Sequence, residues 1–380
     1  MYIYRHPEFN DHEQIIFFRL QRSGLYGILA IHKTFFHPVL KSPSALGGAR
    51  MKPYENTDDA LTDVLRLSRS MTKKAALAET DFGGAKMVII GDPKKDKTPD
   101  MLDDLADVLN SWSGLYVIAE DMGITEKDMN YLFQRTRWVS GKSKEAGGSG
   151  NPGPVTALGV FEGLQACLKY KYDTLNMRGK RFAISGLGNV GHSLAIFIAE
   201  AGGNLLLADI DKTALSRTIE EVKKTPGCFE VDPFEVDPAE IHKIKVSAYC
   251  PCANGAVIND DTIAELNCDI VAGSANNQLA TQEHGDILYE RGITYAPDFI
   301  INAGGLINAA SELNRERYNE QAALMHVRRI SGRLHHIFLE SDNRNISPTR
   351  IADEMAGKII EQKVQECSEK LREQYTRSPI

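Results

Sequence analysis

No stretch of the chain approaches the roughly 20 consecutive apolar residues of a membrane span. The start, MYIYRHPEFNDHEQ, has no basic segment leading into an apolar core, so a soluble, cytosolic protein is expected. A basic surplus is missing too: 44 Lys and Arg against 51 Asp and Glu give a formal net charge of −7. With the signs interspersed, that leaves no footprint for nucleic acid or an anionic membrane. Cysteine is sparse. The six (Cys167, Cys228, Cys250, Cys252, Cys268 and Cys367) show no secreted-disulfide spacing and read as free thiols. Cys250 and Cys252 flank Pro251, but no second Cys or His cluster stands at ligand spacing, so no metal is expected. His32 and His37 read as packed or surface histidines. Architectural repeats are also lacking, and the doubled EVDP at 230–238 reads as a surface loop.

What is present is length and an α/β rhythm. At 380 residues the chain exceeds one ordinary domain, and two or three are expected. Strand patterns at 14–19 and 26–32 give way at SPSALGGARMKPY, whose paired glycines and two prolines break the alternation. Apolar positions at helical spacing then run from Asp58 to Ala78, with Lys74 near the C-terminal end. The glycines of FGGAK place Lys86 at a loop-to-strand junction before Met87–Ile90. Thr98 and Pro99 open another helix, the strand 115–119 ends in Glu120 and Asp121, and Thr125 with Asp128 resembles a capping box. AGGSGNPGP at 146–154 is the clearest composition shift and marks a flexible domain junction or a loop where backbone meets a ligand. Beyond 211 the spacing predicts helices at 213–224, 260–267 and 281–291, alternating with strands at 245–250, 269–272 and 293–296. Two long helices close the chain, the second starting at Ser347 and Pro348 and able to fold back on the first domain. We therefore expect an α/β protein of two domains, 1–145 with 345–380 and 146–344.

Residues 181–211 are the most informative. The apolar run 181–185 stops at Gly186, and Gly186, Gly188 and Gly191, with Asn189 and Val190 between them, spell GxGxxG. An apolar helix and a second strand follow, ending at Asp209. Gly186 suits the tight turn, Gly188 close approach to a pyrophosphate, and Gly191 the packing of helix on strand. Asp209 is placed to accept hydrogen bonds from a ribose 2′-hydroxyl and would repel a 2′-phosphate, so the cofactor is expected to be NAD. A nicotinamide cofactor transfers hydride, and its partner site must handle a proton. Lys74, Lys86 and Asp121 are the candidates: a desolvated lysine suits a base, and a charged one a substrate carboxylate.

SRSMTKKAA (68–76), DFGGAKMVIIGDP (81–93), AEDMG (119–123), SGNPGPVTALGVFEG (149–163), SGLGNVG (185–191), AGSANNQL (272–279) and YAPDFIINAGGLIN (295–308) occur in the order found in one family. In these motifs the chain resembles the amino-acid dehydrogenases acting on glutamate, leucine, phenylalanine and valine, and most of all the leucine branch. The resemblance implies a substrate-binding and oligomerisation domain and a Rossmann-type NAD-binding domain with the active-site cleft between them. It implies reversible oxidative deamination of an L-amino acid to a 2-oxo acid and ammonia, and a homo-oligomer, commonly an octamer. Lys74 matches the lysine for the substrate carboxylate, Lys86 the catalytic base, and Asp121 the acid that shuttles protons. Asn277 matches a residue near the substrate carboxylate and nicotinamide, Thr156 a nicotinamide contact, and Gly47 and Gly48 the glycines lining the cleft.

The same resemblance implies side-chain selection. Leu46 stands where glutamate enzymes carry a lysine, and Ala309 where they carry a serine, so a buried glutamate carboxylate would be unpaired at a cost of several kcal/mol. Ala119, Leu306 and Ala309 complete an apolar pocket with Leu46, which implies a branched-chain aliphatic substrate and a place in branched-chain amino-acid catabolism. Phenylalanine or tryptophan is the alternative, and a catalytically silent dinucleotide-binding regulator is the alternative of another class. Ser70, Lys73, Ala85 and, within CPCANGA, Asn254 depart from the family pattern.

Overall fold

The structure, a computed structural model, describes residues 3–226, 231–232, 237–313 and 318–377. Cys228 and most of the EVDP doublet lie outside the described residues. Contacts divide the chain into two units, Met1–Asn151 with Leu306–Glu320 and Ala356–Ile380, and Pro152–Gly305 with Gln321–Met355. Against the expected boundaries, contacts place 146–151 and 306–320 in the first unit and 345–355 in the second.

The first unit contains strands β1 (Gln14–Arg19), β2 (Tyr26–Lys33), β3 (Phe35–His37) and β4 (Ser42–Lys52), then helix α1 (Thr57–Leu77), β5 (Gly83–Ile90), α2 (Pro99–Ser111), β6 (Tyr116–Ala119) and α3 (Glu126–Phe133). Its sheet runs β1-β2-β5-β4-β3, with β6 also paired to β4. β4 is parallel to β5 and β6, whereas β1 with β2, β2 with β5, and β3 with β4 are antiparallel. Side chains alternate across the sheet. Ala45, Ala49, Met51, Ala85, Met87 and Ile89 pack with Leu105 and Met129 on the face covered by α2 and α3. Ile28, Ala30 and Val88 pack with Ala60, Leu61 and Val64 of α1 on the other face. Each large aliphatic side chain so buried contributes about 1.5–3 kcal/mol. The period of two puts Gly48, Arg50 and Lys86 on the α1 face.

Local chemistry sets the helix starts. Asn56 Oδ1 accepts from Asp59 N at 2.9 Å, Thr98 Oγ1 accepts from Met101 N at 3.2 Å before Pro99, and Thr125 and Asp128 form the expected capping box. His32 and His37 are both buried, the latter accepting from Leu40 N at 3.1 Å and packing on Phe82.

Two expectations in this unit need correction. SPSALGGARMKPY does not interrupt the strands: most of it is β4, a central strand, and Lys86 lies in mid-strand in β5 and not at its edge. Glycine serves close approach here. A Cβ on Gly47 would stand 1.8 Å from Ala85 O, and one on Gly84 2.0 Å from Thr72 N, where α1 rests on β5. Ala85 itself points into the α2 and α3 core, so this departure from the family glycine is accommodated.

The second unit begins with α4 (Pro152–Tyr172), so the last residues of AGGSGNPGP form a first helical turn. There follow β7 (Arg181–Ser185), α5 (Asn189–Glu200), β8 (Asn204–Ala208), α6 (Lys212–Lys224), β9 (Val231–Asp232), β10 (Val246–Pro251), β11 (Cys268–Val271), α7 (Glu283–Glu290), β12 (Thr294–Tyr295) and α8 (Asp298–Ile301). The sheet is parallel throughout, in the order β12-β11-β10-β7-β8-β9. That is the order of a doubly wound dinucleotide fold, reversing between β7 and β10. The helix expected at 260–267 is reduced to a single 3-10 turn, Ile263–Glu265. Asn259 takes the backbone instead, accepting from Asp261 N and Thr262 N while donating to Ala256 O, and Thr262 Oγ1 donates to Val257 O. Helices α9 (Gly304–Ser311), α10 (Glu320–Arg344) and α11 (Pro348–Arg377) complete the chain. Ile359 and Ile360 of α11 pack with Phe35, Ala75 and Ala76 of the first unit. No helix among the described residues is long and apolar enough to cross a membrane.

Candidate functional site

On the α1 face of the first sheet, β5 carries Lys86, and the chain leaving β6 carries Asp121. Lys86 Nζ meets Asp121 Oδ2 at 2.6 Å, the lysine side chain 8% exposed and the aspartate 23%. Arg50, two residues beyond Gly48 on β4, donates Nε to the same Oδ2 at 3.0 Å and NH1 to Asp63 of α1 at 3.1 Å. Burial draws the Asp121 carboxyl upward, but the cations of Lys86 and Arg50 outweigh it and hold the group at about 2. Asp121 is therefore an anion beside an ammonium. Glu120 next to it moves the other way, raised by burial and then by Glu126.

Gly48 makes this packing possible. A Cβ there would lie 2.7 Å from Glu120 O, 2.9 Å from Asp121 Cβ and 3.2 Å from Lys86 Nζ. Gly47 is held from the other side, its carbonyl accepting from the buried Tyr116 hydroxyl at 2.7 Å. Lys74 lies half-buried in the last turn of α1, the helix that covers this face.

The apolar candidates also meet. Leu46 of β4, Ala119 of β6, and Leu306 and Ala309 of α9 share one cluster with Phe82 and Val117, all within the first unit. Ser140 Oγ donates to Ala309 O at 2.6 Å, tying α9 to the segment after α3.

In the second unit the glycine motif joins β7 to α5. Gly186 has φ +93°, a conformation that side chains avoid. Gly191 faces Gly186 O, which a Cβ would approach to 1.9 Å, whereas a Cβ on Gly188 would meet nothing within 4 Å. Open space at Gly188, at the positive end of α5 beside Asn189 and Val190, suits a pyrophosphate. Asp209 ends β8 and accepts from Leu187 N and, at 2.7 Å, from Asp211 N. This fixes the carboxylate beside the glycine turn. Thr156 lies on α4 and Asn277 at an exposed turn with φ +51°, its N–H donating to Asp298 at 2.6 Å. Cys250 and Cys252 are side by side at the end of β10, and burial pushes both thiols up, away from thiolate chemistry.

Arg50, Asp63 and Tyr54 were missed from the sequence. For Arg50 the signal is the alternation 46, 48, 50, which becomes visible only once 42–52 is read as a strand; Asp63 on α1 and Tyr54 after β4 carry no such pattern.

Residues 12–138 match the family described as Glu/Leu/Phe/Val dehydrogenase, dimerisation domain, and residues 147–346 the family Glutamate/Leucine/Phenylalanine/Valine dehydrogenase. The chain is 42% identical over 361 residues to leucine dehydrogenase of Bacillus subtilis (strain 168), covering 95% of this chain and 94% of the relative. It is also 42% identical over 342 residues to phenylalanine dehydrogenase of Thermoactinomyces intermedius, covering 90% and 89%. Among solved structures, L-tryptophan dehydrogenase from Nostoc punctiforme is similar with a TM-score of 0.77 at 35% identity, covering 93% of this chain and 97% of that one.

Proposed function

Since the chain belongs to the Glu/Leu/Phe/Val dehydrogenase family and is an amino-acid dehydrogenase, we propose that it deaminates a branched-chain aliphatic L-amino acid to the 2-oxo acid and ammonia with NAD. The observation that carries the substrate is the single apolar cluster of Leu46, Ala119, Leu306 and Ala309. A glutamate side chain set against that cluster would have to give up water for its carboxylate without gaining a cation.

In this reading Lys74 holds the substrate carboxylate. Bound NAD supplies the acceptor for the hydride that leaves the substrate Cα. Gly186, Gly188, Asn189, Val190 and Gly191 would hold its pyrophosphate, Asp209 its ribose hydroxyls, and Thr156 and Asn277 its nicotinamide end, with Asn277 also near the substrate carboxylate. The open space at Gly188 and the fixed Asp209 carboxylate support the fit. Lys86, as the free amine, removes a proton from the water that adds to the iminium carbon. Asp121, ionised, accepts hydrogen bonds from the amino group and passes the proton with which ammonia leaves the carbinolamine.

Following NADH appearance with leucine, isoleucine, valine, phenylalanine, tryptophan and glutamate tests the proposal. Leucine-like substrates are expected to give the highest kcat/KM and glutamate none above background. Glutamate as the preferred substrate would overturn the pocket reading, and silence with all six would overturn turnover itself in favour of a dinucleotide-binding regulator. Preference for phenylalanine or tryptophan is the second reading. The small Ala309 and the 42% identity to a phenylalanine dehydrogenase favour it, and one methylene discriminates by only about 1–3 kcal/mol.

The chain is also proposed to form a homo-oligomer. The matched dimerisation domain includes the edge strand β1, where Phe17 is 56% exposed, and Tyr26 of the paired β2 is 58% exposed. An edge strand with exposed aromatics is suited to pairing with a second copy. Sedimentation velocity should give a mass well above the 42.1 kDa chain and a smaller one for Phe17→Lys. A monomeric wild-type protein would refute this.

A further inference from the structure

A general base must release its proton before it can take one. If Lys86 were the sole partner of Asp121, deprotonation would strand a mostly buried carboxylate without a cation, a state that costs several kcal/mol. Arg50 changes that situation. Its Nε already bonds the same Oδ2 atom that Lys86 contacts, 3.0 Å against 2.6 Å. The guanidinium keeps its charge across the working pH range of any enzyme. It is also fixed at its far side, where NH1 reaches both oxygens of Asp63 at 3.1 and 3.4 Å and the Tyr54 hydroxyl donates to Asp63 Oδ2 at 2.7 Å.

We propose that Arg50 is a positioning residue that keeps Asp121 partnered while Lys86 is in its neutral form, and so sets the pH range over which the enzyme turns over. The proposal rests on the reading of Lys86 as the base. Other ionisable groups face the cluster from each neighbouring element. Asp63 of α1 and Tyr54 before it hold Arg50. Tyr116 of β6 is committed to Gly47 O. Glu120 has its carboxyl raised by burial and then by Glu126. Among the described residues, the ion pairs made by Asp121 are those with Lys86 and Arg50. The depressed Asp121 carboxyl agrees with two cations sharing one anion.

The test compares Arg50→Gln and Arg50→Lys with wild type in the pH profile of kcat/KM for the best amino acid. In Arg50→Gln the acid limb should move to higher pH by about one unit or more, the size expected when a neighbouring charge is removed. Arg50→Lys should fall between that variant and wild type. NADH affinity should not change. Lower kcat with the acid limb unmoved would mean a merely structural role and would overturn the proposal. A second measurement needs no turnover: reductive 13C-methylation, with the Lys86 methyl signal identified by its loss in Lys86→Ala and titrated by NMR. Its midpoint should be more alkaline in Arg50→Gln, and an unchanged midpoint overturns the proposal. If wild type turns over no amino acid, the function fails and the methyl titration still decides the role of Arg50. If Arg50→Gln does not fold, Arg50→Lys carries both comparisons.

Discussion

Lys86→Ala is expected to lower kcat by about 10²–10⁴-fold, the range that a positioned general base supplies. Water would still reach the iminium carbon, but nothing would take its proton as the C–O bond forms. The variant should fold. Asp121 keeps its bond from Arg50 at 3.0 Å, so removing Lys86 does not leave the carboxylate without a cation, and the usual penalty for breaking a buried pair is reduced. NADH affinity should stay within about twofold of wild type, because the glycine motif lies in the other unit; a tenfold change in affinity would require about 1.4 kcal/mol of coupling. Single-turnover NADH formation together with a fluorescence titration of NADH checks both halves. Near-wild-type kcat would remove Lys86 as the base, whereas lost NADH binding would mean that the substitution disturbs more than proton transfer.

The ease of reading differed between the two units for a physical reason. In the second, each glycine has its own job at a strand-to-helix turn, so pattern and structure coincide: β7 and β8 lie within a residue of the runs that predict them, and α5 contains the apolar helical stretch expected between them. α1 was equally plain, predicted over 58–78 and observed over Thr57–Leu77, because its apolar stripe and its acidic first turn agree. In the first unit glycine works inside strands. Gly47, Gly48 and Gly84 sit where backbone crosses backbone too closely for a Cβ, and a rule that reads paired glycine as a turn assigns loop to the strands that carry Lys86 and Arg50. Motif resemblance pointed to Lys86 and Asp121, which the structure pairs at 2.6 Å, and to Leu46, Ala119, Leu306 and Ala309, which share one cluster, despite that error. It could not recover Arg50, whose meaning comes only from the shared Oδ2 atom. The short helices α8 and α9 were unread for a related reason: YAPDFIINAGGLIN offers too few residues between its proline and glycines for a helical period to show.

Gly188→Ala and Gly191→Ala should separate binding from folding. At Gly188 a methyl group meets no atom within 4 Å, and alanine gains about 0.4–1 kcal/mol over glycine by restricting the unfolded chain where the backbone permits it. Its φ of −65° permits it. But Gly188 is the N-cap of α5, where alanine is the poorer residue by a similar amount. The two effects offset, so stability should change by no more than about 1 kcal/mol. NAD should nonetheless bind at least about tenfold more weakly, because the methyl group occupies the space into which a pyrophosphate must come to reach the backbone N–H groups of α5. Gly191→Ala acts differently, since its methyl group would lie 1.9 Å from Gly186 O and 3.2 Å from Cys252 Cβ. Relief requires α5 to move off β7, and overpacking of this kind costs about 1–3 kcal/mol, so Tm and NAD affinity should fall together. Calorimetric unfolding and NADH titration of the two proteins distinguish the cases. Unimpaired NADH binding by Gly188→Ala would refute the placement of the pyrophosphate at this turn, whatever Gly191→Ala does. A loss of stability in Gly188→Ala larger than that of Gly191→Ala would instead refute the open space on which that placement depends.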